Sequence, residues 1–269
     1  MTPFQSILLI GCGNMAGAML QGWLAAGLDP ARFTVADPAP RDLPAGVHHV
    51  AAIPEQGRFD AVLLGVKPQI LDQVAQAVAR IAGAETVVLS ALAGGELAVL
   101  RGHFPQAAAV VRLMPNLAAA LGKSPIAMAE TGLDEAGRAS VTALLAPLGM
   151  PEWVEEAEFD LVTALAGSGP AFVYRFIDAL GTAAAQLGLP ADKAGRLALS
   201  MVEGAAALAA ASPHDPGELA RRVASPGGTT QAGLDVLDAD SAMLKLAEAT
   251  LRAARDRSAE MAAEARVRG

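Results

Sequence analysis

The chain has 269 residues, enough for one large domain or two domains of moderate size. Its formal net charge is −8, and it has no basic tract, which argues against nucleic acid as a partner. Cys12 is the single cysteine, so an internal disulfide and a cysteine-based zinc site are both excluded. We expect a reducing, cytoplasmic location and no metal, because the four histidines lack partners at metal-ligand spacing.

Residues 1–28 contain no charged side chain, a pattern that also occurs in signal peptides and membrane spans. No basic segment precedes the apolar run, and Gln5, Asn14, Gln21 and several glycines interrupt it. A buried strand followed by a buried helix explains the run better. We therefore expect no membrane association.

Apolar runs of strand length alternate with helical patterns in the first half of the chain. A helix follows the first strand and continues to Ala26, with Gly27 as its stop signal. Strands are predicted at residues 7–10, 32–38, 60–68, 86–92, 108–116 and 126–130, with another helix at 70–82. This alternation predicts a parallel sheet with crossover helices.

Strand signals fade beyond residue 134, and helical patterns take over. Helices are predicted at 155–189 with a glycine-rich interruption at 167–170, at 191–212, from residue 215, and at 241–267. The predicted fold class is therefore an α/β Rossmann-type N-terminal domain with an all-helical C-terminal domain. The boundary is placed after residue 155.

A glycine motif, "GCGNMA" at residues 11–16, follows the first predicted strand and opens a helix. This is the context in which the pattern G-x-G-x-x-G/A binds a dinucleotide. Gly11 allows the tight turn, Gly13 lets a pyrophosphate approach the backbone, and Ala16 permits close helix packing. The helix amino terminus attracts the phosphates. The predicted cofactor-binding residues here are Gly11, Gly13, Asn14, Met15 and Ala16; the alternative is a tight turn without a ligand.

Two residues bear on the choice between NAD and NADP. Asp37 ends the second predicted strand, where an acidic residue typically bonds the ribose 2′-hydroxyl of NAD. Arg41 follows four residues later and could reach the 2′-phosphate of NADP. Asp37 could instead simply form a turn before Pro38. The preference between NAD and NADP therefore stays open.

A second glycine-rich segment, "SPGGTT" at residues 225–230, lies in the helical half. The two glycines permit unusual dihedrals, and the threonines begin a helix whose first N–H groups converge. Such a turn can hold a carboxylate, with the hydroxyls of Thr229 and Thr230 beside it. The alternative is an ordinary helix cap formed by Ser225 or Thr229.

Five segments in order resemble the pyrroline-5-carboxylate reductase family, the last enzymes of proline synthesis. They are "IGCGNMAGAML" (10–20), "GVKPQ" (65–69), "RLMPN" (112–116), "TALAGSGPAFVY" (163–174) and "VASPGGTTQAGLDVL" (223–237). The closing "RSAEM" (257–261) also fits. The resemblance covers nearly the whole chain.

The resemblance implies a Rossmann domain, here residues 1–155, and a helical dimerisation and substrate-binding domain, residues 156–269. The helical domains of two subunits would intertwine. The active site would form between the nucleotide domain of one subunit and the helical domain of its partner. The assembly expected is a homodimer or a ring of dimers.

The resemblance also implies roles for individual residues. The nicotinamide end of NADP or NAD would be lined by Val66, Lys67, Pro68, Ala91, Ala93, Gly94 and Glu156. The carboxylate and ring nitrogen of a small cyclic imine would be held by Ser225, Gly227, Gly228, Thr229 and Thr230. Thr230 is the predicted catalytic residue, because it could hydrogen-bond the ring nitrogen while the site positions the imine carbon for hydride transfer. Lys67 could alternatively be a solvated loop residue.

Two other classes of function stay open. The first is another dehydrogenase with these two domains, which would act on a hydroxyacid or on a different cyclic imine. A hydroxyacid enzyme would need an acid–base lysine on the first long helix of the helical domain, yet residues 163–189 contain no lysine. The second is a dinucleotide-binding regulator, which would have no use for the carboxylate-binding turn.

Overall fold

In the computed structural model of the chain, which describes residues 4–39 and 42–268, the first half of the sequence folds around one sheet. The strands of this described part are β1 (Ile7–Ile10), β2 (Phe33–Ala36), β3 (His48–Val50), β4 (Ala61–Leu64), β5 (Val87–Ser90), β6 (Ala109–Met114), β7 (Ser124–Thr131) and β8 (Gly149–Trp153). Their order is β3-β2-β1-β4-β5-β6-β7-β8. All neighbouring strands are parallel except β6 and β7, which are antiparallel.

Helices cover both faces of this sheet, as the predicted α/β class requires. They are α1 (Asn14–Ala25), α2 (Leu71–Ile81), α3 (Leu97–His103), α4 (Glu135–Leu145) and α5 (Phe159–Val162), which continues into a π-helical turn (Thr163–Gly167). Every residue of β1, β4, β5 and β6 is buried. Burial on both faces explains why these strands read as uninterrupted apolar runs in the sequence.

The end of α1 shows how the sequence sets a helix boundary. The N–H of Gly27 donates to the carbonyl of Leu24 at 3.0 Å, and that of Leu28 to Trp23 at 3.1 Å. Gly27 has a φ of 89°, a left-handed conformation that favours glycine. The predicted stop at Gly27 is therefore confirmed.

Four elements were not predicted from the sequence: β3, β8, α3 and α4. The edge strand β3 has only three residues, two of them exposed histidines. The edge strand β8 contains Pro151 and Glu152, which weaken a strand signal. The predicted parallel sheet is confirmed from β1 to β6, whereas the antiparallel direction of β7 was not foreseen.

The C-terminal half is helical, as predicted. Its helices are α6 (Gly169–Gln186), α7 (Ala191–Ala211), α8 (Pro216–Val223), α9 (Thr229–Asp238) and α10 (Ala242–Arg268). The chain divides into two compact units, one of residues Met1–Ser168 with Ala253–Gly269 and the other of Gly169–Arg252. The predicted domain boundary after residue 155 is a different division from that between these compact units, and it stays a prediction.

Helices α6 and α7 pack closely within the second unit. A Cβ on Gly181 would lie 3.3 Å from the Cα of Gly195, so only small residues allow this approach. Much apolar surface of the unit is uncovered in the single chain: Tyr174 is 67% exposed, Leu208 64% and Leu246 69%. By length and composition alone, α7 could cross a membrane, although such evidence is weak for a single helix.

Candidate active site

The predicted dinucleotide-binding segments follow three adjacent parallel strands. The glycine loop comes after β1, residues 65–68 come after β4, and residues 91–94 come after β5. The carboxyl ends of parallel strands lie at the same edge of a sheet. The structure thus brings these three segments together in the first unit, although the roles of their residues stay predictions.

The turn at Gly11 requires glycine. Its N–H donates to the carbonyl of Ala36 at 2.8 Å, and its φ is 79°. A Cβ at this position would lie 3.0 Å from Cγ1 of Val66. Gly65 is equally confined, because a Cβ there would lie 2.6 Å from the Cβ of buried Ala16. The small residues thus allow α1 to begin directly against the ends of β1 and β4.

The amino terminus of α1 is open to an acceptor. Its N-cap is Gly13, which forms no side-chain cap, and a Cβ there would meet no atom within 4 Å. The first α-helical bond of this turn runs from the N–H of Gly17 to the carbonyl of Gly13. The N–H groups of Asn14, Met15 and Ala16 precede it and have no intrahelical acceptor. A cleft of about 440 Å³ lies here, lined partly by Cys12, Gly13, Asn14 and Leu43.

Asp37 is tied to the glycine loop. Its Oδ2 accepts the N–H of Cys12 at 2.8 Å, and its Oδ1 accepts the N–H of Ala39 at 2.9 Å. The alternative role of Asp37, a turn before Pro38, is therefore present, and the same carboxylate also holds the glycine loop. A contact with the cofactor ribose stays a prediction. Arg41, the candidate for a 2′-phosphate, lies outside the described residues.

The segment after β4 begins at the sheet edge and turns into a short 3-10 helix, Pro68–Ile70. Lys67 is exposed, and its carbonyl accepts the N–H of Ile70 at 3.0 Å. Val66 packs partly against the core. This exposure is compatible with the predicted role of Lys67 at the nicotinamide end and also with the alternative of a solvated lysine.

Glu156 is placed beside the loop that follows β5. Its Oε1 accepts the N–H of Leu97, the first residue of α3, at 3.1 Å. The same oxygen accepts Nη1 of Arg112 at 2.8 Å. Earlier in this loop, Gly94 has a φ of 74°, and a Cβ there would lie 3.4 Å from the backbone of Met261 and Ala262. Sequence reasoning assigned no role to Arg112, although an arginine inside the apolar run "AVVRLM" is a signal that could have identified it.

The predicted substrate segment forms a tight turn in the second unit. The N–H of Gly228 donates to the carbonyl of Ser225 at 2.9 Å, and Gly227 has a φ of 71°. Pro226 before a glycine of positive φ is the arrangement of a type II turn. A Cβ on Gly228 would lie 2.4 Å from Oγ of Ser225 and 3.0 Å from its carbonyl oxygen, so a side chain at this position would force the turn to shift.

The turn delivers the chain to the amino terminus of α9. The N-cap of α9 is Gly228, without a side-chain cap, so neither Ser225 nor Thr229 caps the helix. The N–H of Ala232 donates to the carbonyl of Gly228 at 3.1 Å, which leaves the N–H groups of Thr229, Thr230 and Gln231 without an intrahelical acceptor. The preceding helix α8, by contrast, is capped by the Asp215 carboxylate. The amino end of α9 is therefore suited to an external anion.

Among the residues that the structure describes, no group of three or more His, Cys, Asp or Glu side chains could hold a metal ion.

Comparison with known proteins gives two family matches. Residues 156–261 match the family described as "Pyrroline-5-carboxylate reductase dimerisation". Residues 6–94 match "NADP oxidoreductase coenzyme F420-dependent". The first match implies a homodimer.

Individual relatives agree with the first of these families. The chain is 36% identical to a pyrroline-5-carboxylate reductase of Pseudomonas aeruginosa over 264 residues, covering 95% of this chain and 96% of that protein. A solved pyrroline-5-carboxylate reductase of Coxiella burnetii has a TM-score of 0.87 at 30% identity, covering 96% of this chain and 98% of the other. A pyrroline carboxylate reductase of Plasmodium falciparum, solved with NADP bound, has the same fold, with a TM-score of 0.81 at 22% identity and coverage of 96% and 98%.

Proposed function

The chain belongs to the pyrroline-5-carboxylate reductase family, and we propose that it transfers a hydride from NADPH or NADH to the cyclic imine of 1-pyrroline-5-carboxylate, giving L-proline. One structural observation carries this proposal. Two helices, α1 and α9, begin at a glycine N-cap that supplies no side-chain oxygen. One follows the first strand of a dinucleotide-binding fold and the other follows a type II turn, so the chain offers separate open amides for phosphates and for a carboxylate.

The glycine loop fits the cofactor because no side chain occupies the space above Gly13. A phosphate oxygen could therefore approach the first N–H groups of α1, at Asn14, Met15 and Ala16. Asp37, which is already ordered by its hydrogen bonds to the backbone, would face the ribose of NAD. We propose that the segments containing Val66, Lys67, Pro68, Ala91, Ala93, Gly94 and Glu156 line the nicotinamide end.

The turn before α9 fits the other substrate. Its dihedrals aim the N–H groups of Thr229 and Thr230 along the helix axis, where the helix dipole favours a carboxylate. Ser225, Gly227 and Gly228 form the turn, and the N-cap Gly228 supplies no side chain of its own to these amides. The hydroxyl of Thr230 stands at the same helix end and is proposed to hydrogen-bond the ring nitrogen.

The reaction requires positioning more than acid–base catalysis. The bound reduced nicotinamide would supply the hydride. The turn residues would fix the carboxylate, and Thr230 would accept a hydrogen bond from the protonated ring nitrogen. This bond keeps the proton on nitrogen, so that the imine carbon remains electron-poor. As the carbon accepts the hydride, the iminium becomes a neutral secondary amine, and no further proton has to be moved by the protein in that step.

The exposed apolar surface of the second unit supports a homodimer. Tyr174 on α6, Leu208 on α7 and Leu246 on α10 all lie within the residues matched by the dimerisation family. Burying them against a second copy would account for the apolar character of α7 without a membrane. We propose that the dimers occur in the cytoplasm and can assemble further into rings of dimers.

The test is the oxidation of NADPH and of NADH, followed by absorbance, with purified protein and 1-pyrroline-5-carboxylate. Substrate-dependent oxidation accompanied by formation of L-proline is expected, and the ratio of the two rates measures cofactor preference. A folded dimer that binds a dinucleotide but oxidises neither cofactor would contradict the proposal. The substrate would then be a different imine, or the chain a regulator.

A further inference from the structure

We propose that Arg112 is a positioning residue for the nicotinamide end of the site, acting through Glu156 on the loop between β5 and α3 (residues 91–96). The inference rests on the proposed function, which assigns Ala91, Ala93 and Gly94 to the nicotinamide end. Neither the glycine motif nor the turn before α9 involves Arg112.

Arg112 lies within β6, and its side chain is held by Glu156 and Phe159. Its side chain is only 3% exposed, and its Nη1 donates to Glu156 Oε1 at 2.8 Å. Its guanidinium carbon lies 3.9 Å from the centre of the Phe159 ring, the geometry of a cation–π contact. In the sheet, Arg112 pairs with Ser90, the residue after which the loop begins. The guanidinium therefore has little freedom to move.

Glu156 transmits this position to the loop. Its Oε1, already bound to Arg112, also accepts the N–H of Leu97 at 3.1 Å. Leu97 begins α3 and so marks the end of the loop, while the N–H of Leu92 reaches Oγ of Ser90 at its start. A carboxylate at a helix amino terminus is favoured by the helix dipole. Ser90 thus holds the start of the loop, and the Arg112–Glu156 pair holds its end.

Stability alone does not explain the pair. Among the described residues, no hydrogen-bond partner is found for three buried atoms, Nε and Nη2 of Arg112 and Oε2 of Glu156. The Arg112 side chain is 3% exposed and that of Glu156 37%, and an ion pair with unsatisfied buried atoms is often no more stable than a well-packed apolar pair. What such a pair does provide is a fixed location for its hydrogen-bonded neighbour, here the N–H of Leu97. This is why we assign it a positioning role.

The sharpest test removes the hydrogen bond that joins Glu156 to the loop. Leu97→Pro replaces the N–H that Glu156 accepts with a ring methylene, which displaces the carboxylate from the end of the loop, and proline is tolerated at the first position of a helix. Glu96, with φ −73° and ψ 150°, already has the extended conformation required before proline. Leu97→Ala keeps the N–H and measures the effect of losing the leucine side chain. Arg112→Met removes the positioning group itself, and Arg138→Met is its control, because Arg138 makes a similar carboxylate and aromatic contact on α4.

Two measurements separate positioning from general damage. The first is binding of the nicotinamide-free fragments 2′-phospho-ADP-ribose and ADP-ribose, compared with NADPH and NADH. The second is the single-turnover rate of hydride transfer. For Leu97→Pro and Arg112→Met we expect fragment affinity within about twofold of the parent chain, and hydride transfer about 10- to 100-fold slower, the size of a small misplacement. Leu97→Ala and Arg138→Met should stay within about threefold of the parent rate.

Several outcomes would overturn the inference. Equal rates for Leu97→Pro and Leu97→Ala would show that the hydrogen bond positions nothing. A parallel loss of fragment binding would show a general structural effect instead. If Arg112→Met does not fold, Leu97→Pro alone decides. If the parent chain oxidises no cofactor, the proposed function fails, and the inference is then tested by whether Leu97→Pro weakens the binding of NADPH relative to 2′-phospho-ADP-ribose.

Discussion

Adding one methyl group at Gly228 should weaken substrate binding and spare the dinucleotide. A Cβ there would lie 2.4 Å from Oγ of Ser225 and 3.0 Å from its carbonyl oxygen. Rotation of the serine hydroxyl could relieve the first contact. The second involves the carbonyl that accepts the N–H of Gly228, so it can be relieved only by moving the turn.

The size of the effect follows from these distances. Overpacking of this kind costs about 1–3 kcal/mol, which corresponds to a loss of affinity of about 5- to 150-fold when the strain is released by deforming the binding turn. For Gly228→Ala we therefore expect KM for the imine and Kd for L-proline to rise by about 10-fold or more. Gly228→Val should abolish substrate binding, because its branched side chain has no space to occupy.

The control is Gly233→Ala, one turn further along α9. A Cβ there would meet no atom within 4 Å, and alanine favours a helix. This variant should bind L-proline like the parent chain. Titrations of the parent chain and the three variants with NADPH and with L-proline provide the assay. Normal binding of L-proline by Gly228→Ala would contradict this prediction, and so would an equal loss of NADPH and L-proline binding, which would indicate misfolding.

Three further predictions concern single side chains. Thr230→Ala should lower kcat by about 10- to 100-fold with dinucleotide binding unchanged, as for one lost positioning hydrogen bond, and an unchanged kcat would remove Thr230 from the mechanism. Asp37→Ala should weaken the binding of NADPH and of NADH by about tenfold each, because the N–H of Cys12 in the glycine loop loses its acceptor. Fluorescence titration measures both affinities, and weaker binding of NADH alone would assign Asp37 to ribose recognition only. Hydrogen bonds from Arg222 and then Arg221 lower the pKa of the Glu218 carboxyl. Its contribution to stability is therefore present at neutral pH and lost as the pH falls through the lowered value. The difference in Tm between the parent chain and Glu218→Gln should narrow between about pH 5 and pH 3, and a constant difference would contradict this.

Much of the fold could be predicted because local signals and tertiary packing agree. The strands β1, β4 and β5 are buried on both faces and so appear as apolar runs of the right length. The end of α1 could be identified because its left-handed backbone conformation favours glycine, and Gly27 is visible in the sequence. The edge strands β3 and β8 could not, since their pairing depends on the neighbouring strand rather than on their own residues.

The candidate site divides in the same way. Gly11 and Gly228 could be identified from the sequence because a side chain at either position would crowd a neighbouring residue, and Gly13 because it stands at the N-cap of α1. The contact between Arg112 and Glu156 spans 44 residues and has no local pattern. Even the interpretation of Asp37 needed the structure, because only the fold shows that its carboxylate bonds to the glycine loop as well as to its own turn.

The proposed function depends on the amino terminus of α9 holding the substrate carboxylate. A crystal structure of the protein with NADP⁺ and the product L-proline would show this directly. We expect the proline carboxylate within about 3 Å of the backbone nitrogens of Thr229 and Thr230, with the Thr230 hydroxyl on the ring nitrogen. A carboxylate held by side-chain cations at another position, with the turn at residues 225–228 empty, would contradict it.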